Sequence, residues 1–319
     1  MSRPVAVAEI VRSGFVEGHH YGSVVALDAT GAVDWSVGVV DRPMLPRSCN
    51  KPIQALAMVR AGLTLSPELL ALACASHSGE ELHVTGVRRI LDSAGLDETD
   101  LQTPLDLPLA DAVRDDVIRS GGGPSKILMN CSGKHAAMLA TCVVNDWSTS
   151  DYLDPAHPLQ VAITATFTEL TGEPVADIAV DGCGAPLLPT SLVGLARAFR
   201  TLAVATDGPE HEIAQAIRLH PTHVSGTTRD EAALLTAIPG AIGKAGAESV
   251  YAVALADGRA FALKVDDGAT RARPVVMAEA LRRSGVLDLE GVDASAIRKT
   301  GMHVLYGAGR PVGEIRACY

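Results

Sequence analysis

Short clusters of this chain carry residue types that can do chemistry together. The first is Ser48-Cys49-Asn50-Lys51. On a helix, residues three apart share a face, so this hydroxyl and this amine can meet. A neutral lysine amine can take the serine proton and leave a nucleophile, the chemistry of Ser-Lys acyl transfer. Pro52 fixes the chain near a helix start, which puts Ser48 close to N–H groups able to steady an oxyanion. The same residues also read as an N-capping serine with a solvated lysine.

A second cluster, Asn130-Cys131-Ser132-Gly133-Lys134-His135, enters an apolar helical stretch. A cysteine at a helix N-terminus has its thiolate favoured. A third, Asp181-Gly182-Cys183-Gly184-Ala185-Pro186, follows the strand-like run 178–180. On an extended segment Asp181 and Cys183 share a face. Cys131 and Lys134 have the spacing of a metal knuckle. Two thiolates, a deprotonated Lys134 and a water would complete a tetrahedron around a soft divalent ion such as zinc. Two buried thiols and plain turn chemistry are the simpler alternative.

Between two helical runs lies Cys74-Ala75-Ser76-His77-Ser78-Gly79-Glu80-Glu81. Ser78 with Glu81 has the form of a capping box, whereas Ser76 and His77 can line a pocket. Lys264 sits on a strand-like run. Alternation puts it with Ala260 and Ala262, opposite Phe261, Leu263 and Val265. An amine on such a face is either in solvent or beneath a packed neighbour, where its pKa falls and it becomes a base.

Lysine is scarce. Of 27 basic residues only six are lysine, at 51, 126, 134, 244, 264 and 299, against 21 arginines. Arginine stays protonated in proteins, whereas a desolvated lysine can lose its proton. The surviving lysines are therefore candidate bases or ligands.

The elements that must position these residues are legible in outline. Runs 21–27 and 32–39 flank an Asp-Ala-Thr-Gly turn, and runs 250–255 and 260–265 flank an Asp-Gly turn, so two hairpins are expected. Residues 312–318 read as a closing strand. Helical patterns cover 52–61, 67–74, 80–94, 110–119, 133–144, 159–170, 191–203, 210–219, 229–237 and 275–284. Strands at both ends with helices between predict an α+β fold whose sheet joins the two ends of the chain. No linker, repeat or low-complexity segment breaks residues 1–319, which read as one domain.

Composition narrows the function classes. The 319 residues are 47% hydrophobic but only 3% aromatic, so the core is built of Ala, Val and Leu. A net charge of −10 argues against a nucleic-acid or anionic-membrane partner. Residues 1–10 carry Glu9 and lack a basic-then-apolar run, so no signal peptide is expected. No apolar run approaches the ~18 residues of a membrane span. A cytoplasmic, reducing setting is expected, with the six cysteines as core residues or ligands.

Together the clusters resemble one family, the type II L-asparaginases of the Rhizobium etli kind, also called class 3 asparaginases. The resemblance rests on Gly18-His19-His20 in part, on Arg47-Ser48-Cys49-Asn50-Lys51-Pro52, and on Ala75-Ser76-His77-Ser78. It continues through Asn130-Cys131-Ser132-Gly133-Lys134-His135, Asp181-Gly182-Cys183 and Leu263-Lys264-Val265-Asp266-Asp267-Gly268. It implies hydrolysis of the L-asparagine side-chain amide to L-aspartate and ammonia. It implies two Ser-Lys pairs, Ser48 with Lys51 and Ser76 with Lys264, with Ser48 as nucleophile and Lys51 as its base. It further implies a zinc site at Cys131, Lys134 and Cys183, and a homodimer. The implied fold is a central mixed or antiparallel sheet flanked by helices, remotely like serine β-lactamases and glutaminases. Arg47, Asn130, His135 and Asp181 are the candidates for substrate binding or support.

Rival readings remain. Glutaminase differs by one substrate methylene, worth only about 1–3 kcal/mol in a pocket. A β-lactamase-like acylase would pair Ser48-x-x-Lys51 with Lys299-Thr300-Gly301, but no Ser-Asp-Asn lies between them. A non-enzymatic homologue stabilised by zinc would have no need of the Ser-Lys pairs.

Overall fold

The computed structural model describes residues 5–319; residues 1–4, part of the opening stretch read for a leader, lie outside the described residues. In chain order the strands are β1 (Val5–Arg12), β2 (Phe15–Leu27), β3 (Val33–Val37), β4 (Ala179–Val180) and β5 (Pro186–Leu187). They continue with β6 (Ile242–Gly246), β7 (Val250–Ala254), β8 (Ala260–Val265), β9 (His303–Gly307) and β10 (Arg310–Ala317). The helices are α1 (Lys51–Arg60), α2 (Pro67–Ala73), α3 (Glu81–Ser93), α4 (Asp111–Arg119), α5 (Ser132–Val144) and α6 (Pro158–Thr171). They continue with α7 (Leu192–Val204), α8 (Gly208–Leu219), α9 (Pro221–Val224), α10 (Asp230–Ala237), α11 (Arg273–Arg283) and α12 (Ala294–Thr300).

These elements cluster into two compact units. The first takes the chain through Cys49, then Thr190–Val204 and Ala233–Tyr319. The second takes Asn50–Pro189 and Ala205–Ala232. One chain crossing falls inside the short 3-10 turn Arg47–Asn50, so Ser48 belongs to the first unit and Lys51 to the second.

The first unit is an antiparallel sheet in the order β6-β7-β8-β2-β1-β10-β9, with β3 paired to β2 as an eighth strand. The long β2 organises it. Its first half pairs with β1, and residues 22–27 pair with β8 on one edge while residues 24–27 pair with β3 on the other. The sheet does join the two ends of the chain, through β2–β8 and β1–β10. Both expected hairpins form, as β2–β3 and β7–β8, and the closing strand is β10. Strands β1, β6 and β9 were not expected. β6 (IGKAG) is glycine-rich and carries a lysine, so it has no strand-like pattern, yet all five residues are buried. Helices α7 and α11 pack on the sheet, which is why β7 and β8 are buried on both faces and lack alternation.

The second unit is helical, with the two-stranded β4–β5 ribbon beside it. Helix α1 packs on α5, α6 and α8, and α2 packs on α3, α5, α8 and α9. The ten expected helices are present within one or two residues at each end, while α9 and α12, of four and seven residues, were too short to show a period. Gly133 explains how closely α5 meets α2. A Cβ there would lie 2.6 Å from the Leu72 carbonyl oxygen, so only glycine permits the approach. No described helix is long and apolar enough to cross a membrane.

The β2–β8 pairing depends on a bare backbone at one point. A Cβ on Gly22 would lie 2.4 Å from the Lys264 carbonyl oxygen, whereas one on Gly18 of the same strand meets nothing nearer than 3.7 Å. Gly22→Ala is expected to lower stability by about 1–3 kcal/mol, in the range of overpacked cores, with Gly18→Ala close to neutral. Urea unfolding of the two variants measures the difference.

Candidate functional site

Lys51 opens α1 and is buried, with 1% of its surface exposed. Its amine donates to the Ala75 carbonyl oxygen at 2.5 Å and meets Ser76 Oγ at 2.9 Å. Ala75 and Ser76 follow directly on the end of α2, whose capping residue is Cys74. Their backbone is clamped on two sides. Ser76 N–H donates to the Val224 carbonyl (3.1 Å) and His77 N–H to the Asn130 carbonyl (3.0 Å).

His77 is a structural histidine with a fixed tautomer. Its Nδ1 accepts from Gly79 N–H at 3.1 Å, and its Nε2 lies 2.8 Å from Ser132 Oγ. The Ser132 hydroxyl proton goes to the Ile127 carbonyl, so Nε2 must carry the proton in the His77–Ser132 bond. Complete burial, then the nearby His83 and Lys51, hold this imidazole neutral, well below its ordinary pKa. His77 thus ties the Ser76 loop to the start of α5 and does not face a pocket. The expected capping box is also absent. The residue flanking α3 is Glu80, and Ser78 Oγ donates instead to the Ser225 carbonyl at 2.8 Å. That loop is fully buried at Ser78, where a backbone carbonyl competes successfully for the hydroxyl.

The cysteine cluster assembles within the second unit. Cys131 flanks the start of α5, Lys134 lies in its first turn, and Cys183 sits in the Asp181–Ala185 turn between β4 and β5. All three are at most 3% exposed. Lys134 Nζ lies 3.2 Å from Cys183 Sγ. The two sulfurs are pushed in opposite directions, and Cys183 is the one lowered. A hydrogen bond from Cys131, then the Lys134 charge and the His135 ring, hold its pKa far down against burial. Cys131 is pushed well up by that bond and by burial. The Cys131 thiol has a second acceptor, Asn130 Oδ1 at 3.2 Å, but the charged sulfur is the stronger one. Burial alone would push the Lys134 amine down; the charges at Cys183, Cys131 and Asp181 more than offset it and hold the pKa above its ordinary value. His135 Nδ1 meets the Tyr152 hydroxyl at 2.8 Å, and burial keeps its imidazole below the ordinary range. Asp181 Oδ1 accepts from Gly182 N–H (2.9 Å), and Oδ2 lies 4.0 Å from the Cys183 sulfur.

Two sulfurs and an amine that converge in a buried pocket fit a soft divalent ion such as zinc. Among the described residues, no group of three His, Cys, Asp or Glu side chains converges on a point. A metal here therefore needs Lys134 as a ligand, with its proton displaced.

The first unit carries Ser48 and Lys264. Ser48 is 8% exposed, in the turn that leads to α1. The following Cys49 thiol donates to the Lys244 carbonyl at 2.9 Å, pinning this turn to β6. A Cβ on Gly246 would lie 2.8 Å from the Pro46 carbonyl oxygen, so β6 runs close beneath Pro46–Ser48. Lys264 is half-buried, as the reading beneath a packed neighbour requires, and burial holds its pKa below the ordinary value. Its amine donates to the carbonyls of Glu248 (2.5 Å) and Val265 (2.7 Å). His20 Nδ1 lies 2.5 Å from Asp267 Oδ2, which links the Gly18-His19-His20 motif to the turn after Lys264.

Backbone strain gathers at this place. Arg47, Glu248 and Ser249 are three of six non-glycine residues with positive φ among those described (51°, 56° and 51°). Arg47 Nη1 lies 3.8 Å from Glu248 Oε1. Glu248 gave no sequence signal, because a turn in this conformation ordinarily announces itself by Asn-Gly and here it is Glu-Ser. Lys244, one of the six scarce lysines, is completely buried on β6.

The sequence model of the L-asparaginase II family matches residues 8–317. No curated protein matches the chain. Among solved structures, a β-lactamase from Mycobacterium bovis is 15% identical over 82% of this chain and 94% of its own, with a TM-score of 0.44. Mglu in its native form is 14% identical over 85% of this chain and 66% of its own, with a TM-score of 0.46. A Bacillus glutaminase is 10% identical over 82% of this chain and 90% of its own, with a TM-score of 0.44.

His77 and His83 are buried neutral, with pKa values held below the ordinary one. The unfolded chain takes up protons first as pH falls, so their contribution to stability is complete above about pH 6.5 and is lost below it. Chemical denaturation at pH 7.5 and 5.5 is expected to show a loss of about 2 kcal/mol from this pair. Unchanged stability would mean that the two rings are not held neutral.

Proposed function

The chain belongs to the L-asparaginase II family, and on that footing we propose that it hydrolyses the side-chain amide of L-asparagine to L-aspartate and ammonia. Membership alone makes it an amidohydrolase with a small-molecule substrate. The observation that carries the Ser-Lys chemistry is the buried contact of Lys51 Nζ with Ser76 Oγ at 2.9 Å.

In the first reading Ser48 attacks the amide carbon as Lys51 takes its proton. The C–N bond breaks as that proton passes to the leaving nitrogen, and ammonia departs. Water then attacks the ester and returns the serine hydroxyl. Ser76 and Lys264 serve as the second pair, moving protons to and from the first. Backbone N–H groups hold the oxyanion. In this scheme the Ser76 and His77 amides are already bonded to Val224 and Asn130, so the oxyanion draws on other donors.

The Lys51–Ser76 contact favours a second reading, in which Ser76 is itself the nucleophile. With the amine neutral, the Ser76 hydroxyl donates to Nζ, while an amine hydrogen stays on the Ala75 carbonyl.

Arg47, Asn130, His135 and Asp181 are proposed to bind substrate or support the residues that do. Zinc would be held by Cys131, Lys134 and Cys183. When bound, it would supply positive charge to orient a polar group of the substrate. We take the enzyme to be a cytoplasmic homodimer. All six cysteines are free, five of them buried, which suits a reducing compartment.

Ammonia release from L-asparagine and L-glutamine tests the proposal. Lys51→Met is expected to lower kcat at least 1,000-fold on the preferred amide. Ser48→Ala and Ser76→Ala separate the two readings, since the nucleophile's variant loses all turnover and its partner's keeps a residue. Absence of ammonia release from either amide by the unaltered protein would reject the function itself. The metal site has its own readout. Cobalt(II) is expected to give thiolate-to-metal absorption that disappears in both Cys131→Ala and Cys183→Ala.

A further inference from the structure

Four histidines that the Ser-Lys chemistry does not use form a chain in the second unit. His77 and His83 stack with ring centres 5.3 Å apart and planes 15° from parallel. His223 meets His83 edge-on at 6.4 Å, and His220 meets His223 edge-on at 5.3 Å. The inner ring, His77, has both nitrogens engaged. The next, His83, does not. Its Nε2 lies 3.0 Å from the Thr222 carbonyl oxygen, an acceptor only, so Nε2 carries the proton. Its Nδ1 is then a lone pair, buried and without a hydrogen-bond partner among the described residues.

Thr222 belongs to α9, a single turn of helix packed on α2 and α8. That turn supplies the Val224 carbonyl, which receives the Ser76 N–H. A parallel tie runs one residue on, from Ser78 Oγ to the Ser225 carbonyl. The path is therefore short: His83 holds α9 from the side of α3, and α9 holds the backbone of Ser76. We infer that His83 is a positioning residue for Ser76, acting through the short helix Pro221–Val224.

The geometry also gives this tie a pH dependence. A second proton on His83 would sit on Nδ1, where it has no acceptor and faces the neutral ring of His77. The charged ring is better accommodated in water, and leaving costs the bond to Thr222. The groups around the chain are Glu80 beside α3, which favours the charged form of His83, and Lys51 of α1, which acts on His77. Glu68 of α2, Arg89 of α3 and His220 act on His223. None of these supplies an acceptor to His83 Nδ1.

The consequence for turnover rests on the proposed role of Ser76; the positioning itself does not. His83→Gln places an amide N–H near the position of Nε2 and cannot titrate. His83→Ala removes the donor. Backbone hydrogen exchange of the peptides containing Ser76 and residues 221–225, corrected for the intrinsic pH dependence of exchange, reads the tie directly between pH 5 and 8. In the unaltered protein, Ser76 protection is expected to fall about five- to tenfold from pH 7.5 to 5.5, tenfold being the ceiling for one histidine of ordinary pKa. His83→Gln is expected to keep it within twofold across that range, with kcat at pH 7.5 within threefold of the unaltered enzyme and a flattened acid limb. His83→Ala is expected to lose it at every pH, with kcat falling at least tenfold and KM little changed. Full Ser76 protection in His83→Ala overturns the inference. So does an acid-induced loss in His83→Gln equal to that of the unaltered protein, which decides the matter even if the alanine variant does not fold. If the unaltered protein releases no ammonia, the functional proposal fails while the exchange measurement still judges this one.

Discussion

A lysine amine taken out of water must be given acceptors, and much of this molecule is arranged around that requirement. Lys51 has the carbonyl at the end of α2 and a serine hydroxyl. Lys134 has a thiolate. Lys264 has two carbonyls, one delivered by a turn in a costly left-handed conformation. Lys244 has the carbonyl of the next residue. These amines stand in different electrostatic surroundings. At Lys134 the neighbouring cysteines and Asp181 offset burial and raise the pKa, whereas burial dominates at Lys264 and lowers it. One residue type is therefore a candidate metal ligand in one place and a candidate base in another.

The candidate groups were legible in the sequence because chemistry needs particular atoms at particular spacings. Ser48, Lys51, Ser76, Cys131, Lys134, Cys183 and Lys264 could all be named from types and intervals. The hairpins around Asp28–Gly31 and Asp257–Gly258 were legible for a related reason, since their turns demand a small menu of residues. What supports the site was not. Val224 contributes a carbonyl, which every residue possesses, and α9 is too short to show a period. Glu248 and Ser249 occupy a backbone conformation that their side chains do not advertise. The capping box at Ser78 failed because a buried carbonyl at Ser225 competed for the same hydroxyl.

Supporting contacts of this kind are mostly backbone to side chain. Ser76 is fixed by its own amide, His83 acts on a carbonyl, and Cys49 pins the 3-10 turn through the Lys244 carbonyl. Such contacts leave the identity of one partner free, so they persist while sequence drifts. The close approaches are the exception. Gly22, Gly133 and Gly246 each face a backbone oxygen that any side chain would strike, and there the fold does constrain residue type.

The placement of the lysines also has a practical side. Lys51, Lys134 and Lys244 are buried, Lys126 and Lys264 are half-buried, and Lys299 alone among the six is exposed. Amine-directed reagents acting on the native protein therefore meet few side-chain targets, and the one exposed lysine, Lys299, lies outside the serine-lysine and cysteine clusters. Conjugation or immobilisation through lysine would favour that one side chain without any engineering, because cations supplied mainly by arginine are inert to that chemistry.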